Sequence, residues 1–241
     1  MAAPDGPILI VGAGGIGAPA ALALGHAGVR RLCIVDDDRV ELGNLHRQIL
    51  FDEGDVGTDK LASLRRALVR RFPALEVALR PGRALPDTAL ELCEGAAVVI
   101  DATDNFASRF LLADAAHLVG VPIVHAAAVR WQATVLAVAA AGRPCYRCLF
   151  EDVPGGVLVD CATAGVAGPV CGVSGALAAE RALDLCLGRA PGTILTYDGE
   201  RDRLREVPVA PRRDCPLCGA QPTIGSLDAA RYMPPACEAS Y

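Results

Sequence analysis

An apolar run that ends in a glycine turn constrains this chain more than any other feature. Pro7-Ile8-Leu9-Ile10-Val11 leads directly into Gly12-Ala13-Gly14-Gly15-Ile16-Gly17, and a small-residue stretch, Ala18 to Ala27, follows. An apolar run without alternation suits a parallel strand covered on both faces. Glycines let the backbone bend tightly and approach a phosphate at a helix N-terminus, where free N–H groups and the positive dipole end sit. Arg31-Leu32-Cys33-Ile34-Val35-Asp36 reads as a second strand and puts an acid 19 residues after Gly17. A carboxylate there can accept hydrogen bonds from ribose hydroxyls. The pattern points to a parallel α/β sheet and a nucleotide. Taken alone it leaves NAD and FAD open, and also a turn needed only for helix–strand packing.

The rest of the chain extends this sheet. Thr58 to Arg71 has Leu61, Leu64, Leu68 and Phe72 at helical spacing, with Pro73 as the stop. Leu75 to Leu79, Ala97 to Asp101 and Pro122 to Ala126 read as further strands, and Asn105 to Val119 as a helix. Trp131 to Ala139, Thr193 to Tyr197 and Leu204 to Val209 read as strands with no crossover helix pattern between the last two, Gly199 lying in their turn. Gly168 to Leu187 returns to helical spacing. The expected architecture is a doubly wound, mainly parallel α/β sheet with an antiparallel C-terminal extension. We expect one domain over residues 1–241: a nucleotide-binding half to 130, an antiparallel, crossover-loop and metal-binding half over 131–222, and a tail over 223–241.

Composition sharpens the search for chemistry. The chain has 22 arginines but one lysine, Lys60, and two asparagines, Asn44 and Asn105. Its net charge is −5 with the arginines dispersed, which argues against nucleic acid or an anionic membrane as the main partner. No apolar run approaches the roughly 18 residues of a membrane span, and no signal-peptide pattern opens the chain, so a cytoplasmic location is expected.

The rare residues fall in motifs. After Asp36 the chain reads Asp37-Asp38-Arg39-Val40-Glu41-Leu42-Gly43-Asn44-Leu45-His46-Arg47-Gln48; Lys60 follows in Val56-Gly57-Thr58-Asp59-Lys60. A later strand ends in Asp101-Ala102-Thr103-Asp104-Asn105. A hydride-transfer enzyme has no need of an arginine, a lysine and a second strand-end acid around the ribose carboxylate. An enzyme attacking the α-phosphate of ATP does: Arg47 and Lys60 can neutralise charge on the phosphates, and Asp104 can hold Mg²⁺.

Together with Pro144-Cys145-Tyr146-Arg147-Cys148 and Thr163-Ala164-Gly165-Val166, these segments resemble the ThiF/MoeB/HesA adenylating enzymes from about Ile8 to Gly219. The resemblance implies a Rossmann-like nucleotide fold that binds ATP and Mg²⁺. Gly12, Gly14, Gly15 and Gly17 would form the phosphate turn, and Asp36 the ribose ligand. Asn44, Arg47, Gln48 and Lys60 would meet the phosphates, and Asp104 with Asn105 would lie at the metal.

Cysteines form a second constellation. Cys145-x-x-Cys148 and Cys215-x-x-Cys218 are two hooks, 66 residues apart, suited to a closed, tetrahedral, structural Zn²⁺ site. Cys161 lies where the resembling thiamin-pathway enzymes carry a reactive cysteine; a thiolate there could attack an acyl-adenylate. Cys171 reads as helix packing, Cys33 and Cys186 as core, and Cys237 as exposed tail. His46 occupies a variable motif position, His125 reads as a hydrogen-bonded core histidine, and Trp131 as packing at the start of the antiparallel strands.

The activity implied is adenylation of the C-terminal glycine carboxylate of a ubiquitin-like (β-grasp) sulfur carrier ending in Gly-Gly, by a homodimer. A sulfurtransferase or an E2-like protein would act downstream. About twenty residues follow Cys218, too few for a folded E2-docking domain, which favours sulfur transfer over conjugation through a Cys161 thioester. Resembling enzymes open with a helix whose arginine reaches the twofold-related ATP; the six residues before Pro7 hold no basic group, a departure from the pattern. An NAD-dependent oxidoreductase and a carrier-binding scaffold without turnover are the alternatives.

Overall fold

The computed structural model describes residues 6–154, 165–189 and 192–233. Its centre is an eight-stranded sheet in the order β3-β2-β1-β4-β5-β6-β7-β8. The first five strands in the chain, β1 (Ile8–Val11), β2 (Arg31–Asp36), β3 (Glu76–Pro81), β4 (Val98–Asp101) and β5 (Ile123–Val129), are parallel. β6 (Gln132–Val138), β7 (Thr193–Asp198) and β8 (Arg203–Pro208) continue the sheet antiparallel, as the loss of crossover helices predicts.

Two apolar layers cover the sheet because alternate residues of the buried strands face opposite sides. Ile8, Ile10, Leu32 and Ile34 pack against α1 (Gly17–His26), α2 (Lys60–Arg71) and α6 (Gly168–Cys186). Leu9, Val11 and Val99 pack against α3 (Ala89–Cys93), α4 (Phe106–Leu118) and the cysteine-bearing segments around α5 (Tyr146–Leu149). The periodic leucines Leu61, Leu64 and Leu68 are buried, and Asp59 caps α2 by accepting from Ala62 N. Phe72 ends that helix, its ring against the spot where Gly25 has no side chain. α3 is too short for its period to stand out in the sequence.

Trp131 is a correction. The register pairs Val129 with Gln132, so Arg130 and Trp131 form a two-residue hairpin tip, and Trp131 is 47% exposed instead of packed in the sheet. No helix among the described residues is long and apolar enough to cross a membrane.

The sheet order decides where a ligand goes. β1 lies between β2 and β4, so the connections after them leave in opposite directions and open a crevice at the strands' C-terminal ends.

Candidate functional site

A cavity of ≈ 660 Å³ fills that crevice. Its wall includes Gly12, Gly14, Gly15, Asp36, Asn44, Arg47, Gln48, Lys60, Asp104 and Asn105, so ten residues singled out from separate stretches of sequence come together. Gly17 is not among the lining residues. A Cβ there would collide with the Gly12 carbonyl oxygen, so this glycine serves the close approach of α1 to the turn. Gly12 has φ +100°, and a Cβ on it would lie 2.7 Å from the Ala102 oxygen; the turn can be closed only by glycine at this position.

The three consecutive acids that begin at the end of β2 have separate tasks. Asp36 accepts from Ala13 N at 2.7 Å and from Asp38 N at 2.8 Å, which ties the carboxylate to the glycine turn. Asp37 holds Arg83 Nε at 2.7 Å. Asp38 holds Lys60 Nζ at 2.8 Å. Lys60 opens α2 and is 4% exposed, so its ammonium reaches the cavity from a buried position with one carboxylate as counterion. The acids lie close enough together to suggest a cation site, yet each already has a partner.

The Asn44–Gln48 segment is pressed against the turn. A Cβ on Gly15 would lie 3.3 Å from Arg47 Cγ, and one on Gly14 3.6 Å from Gln48 Nε2. Asn44 starts this bend, its carbonyl accepting from both Arg47 N and Gln48 N. Gln48 is buried with Oε1 unpartnered among the described residues, an acceptor left for a donor in the cavity. On the opposite wall Asn105 caps α4 through Ser108 N, and the exposed Asp104 precedes it with the Asn105 amide 3.5 Å from Oδ1. A hard, accessible carboxylate of this kind suits Mg²⁺.

Arg109 and His125 also line the cavity. Arg109 donates to the Thr103 and Ala126 carbonyl oxygens, bracing the loop that carries Asp104. His125 is buried as predicted, with Nδ1 2.8 Å from Asp101 Oδ2, but its ring also forms part of the cavity wall. Burial alone would raise the Asp101 pKa; Arg109, His125 and Thr103 outweigh it and hold the carboxyl below its usual range. Cys171, expected as packing, is buried on α6 and lines the cavity as well. Cys161 and Cys237 lie outside the described residues.

The two cysteine hooks meet beneath α4. Cys145 Sγ lies 3.9 Å from Cys148 Sγ and 3.5 Å from Cys215 Sγ, and Cys148 Sγ lies 3.4 Å from Cys218 Sγ. Disulfide sulfurs sit near ~2.0 Å. The edge of a ZnS₄ tetrahedron is about 3.8 Å, so the donor set fits one tetrahedral ion. Burial pushes the Cys145 thiol up and the Cys218 thiol to about 12, while at Cys215 burial is outweighed by hydrogen bonds from the Cys218 and Leu217 backbone, which hold the thiol below its usual range. Beside the cluster Arg147 forms a two-pronged pair with buried Asp114, at 2.8 and 2.9 Å, and Tyr232 from the last described turn donates to the same carboxylate at 2.9 Å.

Comparison with known proteins places this geometry among others. A model of the ThiF family matches residues 5–217. The chain is 39% identical over 225 residues to the adenylyltransferase and sulfurtransferase MOCS3 of Aedes aegypti, covering 91% of this chain and 52% of that protein. It is 39% identical to the SAMP-activating enzyme E1 of Haloferax volcanii (88% of this chain, 80% of that one). It is also 39% identical to a sulfur carrier protein adenylyltransferase of Thermus thermophilus (91% and 84%). The chain thus spans about half the length of the MOCS3 relatives. The structure of E. coli MccB with ATP superposes with a TM-score of 0.77 at 21% identity, over 89% of this chain and 67% of that one, which is a likeness of fold.

Proposed function

Because the chain belongs to the ThiF family, we propose that it uses ATP to adenylate the C-terminal glycine carboxylate of a small ubiquitin-like sulfur carrier, preparing it for thiocarboxylate formation. The observation that carries this is the gathering of Gly12, Gly14, Asp36, Arg47, Lys60 and Asp104 around one cavity. Relatives named for activating sulfur carriers, or a SAMP protein, support the substrate class.

A carboxylate is a poor electrophile, and transfer to AMP gives it a good leaving group. The carrier's carboxylate oxygen attacks the α-phosphorus, the bond to the bridging oxygen breaks, and pyrophosphate departs. The glycine turn offers backbone N–H groups to the phosphates, and Asp36 accepts from the ribose. Arg47 and Lys60 face the charge that grows on the phosphate oxygens, with Asn44 and Gln48 as polar neighbours. Asp104, beside Asn105, would hold Mg²⁺, which neutralises phosphate charge when bound. Cys145, Cys148, Cys215 and Cys218 would hold Zn²⁺ as a structural ion, the closed four-sulfur set leaving no position for substrate. A homodimer and a sulfurtransferase partner complete the proposal; in the conjugation alternative, Cys161 would accept the acyl group as a thioester.

The test is ³²P-pyrophosphate exchange with a Gly-Gly-terminated carrier, followed by mass measurement of the carrier. Exchange that needs both ATP and the carrier's terminal glycine is expected. Carrier binding without any exchange would favour a scaffold instead.

A further inference from the structure

Arg83 lines the cavity and has no part in that proposal. It sits just beyond β3, and β3 pairs with β2 so that Pro81 lies opposite Asp36, while Gly82 N donates to the Asp36 carbonyl at 3.1 Å. The order β3-β2-β1 therefore lays Gly82 to Ala84, the ribose acid and the glycine turn in one row along the strand ends. Neighbouring strands are about 4.8 Å apart, so the end of β3 lies roughly 10 Å sideways from the turn. A nucleotide with phosphates on the turn and ribose at Asp36 carries its base to that end.

The surface there suits a flat ring. Gly82 has φ +127°, which swings the chain aside, and a Cβ on it would meet nothing within 4 Å. Ala84 is buried and Val35 lines the wall, giving an apolar floor. Arg83, lining the same cavity, is 69% exposed in its side chain yet tethered along one edge, Nε to Asp37 at 2.7 Å and one terminal nitrogen 3.8 Å from Asp38. A guanidinium held by its edge keeps a planar, weakly hydrated face free, the geometry that stacks on aromatic rings.

We propose that Arg83 closes the base subsite, its guanidinium stacked on the purine of the bound nucleotide and steered there by Asp37. The assignment rests on the ATP proposal above. Its rival is a phosphate contact, since Asp38 also touches Lys60.

Calorimetric titration of the full chain with Mg-ATP and with base-free ribose 5-triphosphate separates the two. Arg83→Ala is expected to weaken ATP roughly 3- to 30-fold, the range of a cation–ring contact, and to leave the base-free ligand within about twofold. Arg83→Lys, which keeps the charge but lacks the plane, is expected to recover only part of the loss. Equal losses for both ligands would make Arg83 a phosphate contact, and an unchanged ATP affinity would make it a surface ion pair; either overturns the proposal. A wild-type chain that binds no ATP would sink the adenylation proposal itself, which is a different result.

Discussion

Lys60 and Asp38 form an unequal pair, and the inequality predicts an asymmetry. The lysine side chain is 5% exposed and the aspartate 53%. Removing Asp38 leaves the buried lysine with no counterion and only the cavity to face, and breaking an ion pair from its buried side costs about 3–5 kcal/mol. Removing Lys60 leaves a carboxylate that water already reaches, so Lys60→Ala should lose only about 1 kcal/mol. For a chain of this length each kcal/mol moves Tm by about 2–4 °C, so Asp38→Ala should melt roughly 6–20 °C below wild type and Lys60→Ala a few degrees below. Mg-ATP should then act in opposite directions. A triphosphate returns negative charge beside Lys60, so it should stabilise Asp38→Ala more than wild type and Lys60→Ala less. Thermal melts followed by circular dichroism, with and without Mg-ATP, read both effects. Equal losses in the two variants, or equal stabilisation by ATP, would refute the reasoning.

Other outcomes follow from the same structure. Cys148→Ser or Cys215→Ser should abolish a stoichiometric zinc measured by plasma mass spectrometry. Because a structural zinc of this kind can contribute on the order of 10 kcal/mol, the cysteine-bearing segments and the Tyr232 turn should also lose protease resistance. Asp101 titrates below its usual range in the fold, so its contribution to stability is full above the unfolded pKa near ~4 and fades as pH falls through the lower folded value. The stability gap between wild type and Asp101→Asn, measured in urea, should therefore be constant near neutrality and shrink in acid. Gly17→Ala should destabilise by about 1–3 kcal/mol through overpacking against Gly12 and should weaken nucleotide binding, as read by melts and calorimetry.

Much of this was legible in the sequence because local chemistry announced it. The strand–glycine–helix opening, the acid closing β2 and the leucine period of α2 each follow from backbone sterics or periodic burial. The lone lysine and both asparagines could be noticed because the chain otherwise avoids those residues. What stayed hidden depends on tertiary proximity. Arg83 sits in no motif; only the pairing of β3 with β2 brings it beside Asp37. His125 reads as a core residue, and it is one, but the end of β5 opens into the cavity. Trp131 looks like a strand residue until the register makes it a hairpin tip. Gly17 looks like part of a phosphate turn, and its constraint turns out to be the Gly12 carbonyl. In each case the residue type was informative and the neighbour that decides its task lay far along the chain.

The central claim is that Arg47, Lys60 and the glycine turn surround the phosphates of ATP. Equilibrium titration of wild type and Lys60→Ala with Mg-ATP and with adenosine tests it most directly. Lys60→Ala should bind Mg-ATP at least about tenfold more weakly, equivalent to ~1.4 kcal/mol, while adenosine affinity stays unchanged. Undiminished ATP binding by the variant, or wild type preferring NAD to ATP, would contradict it.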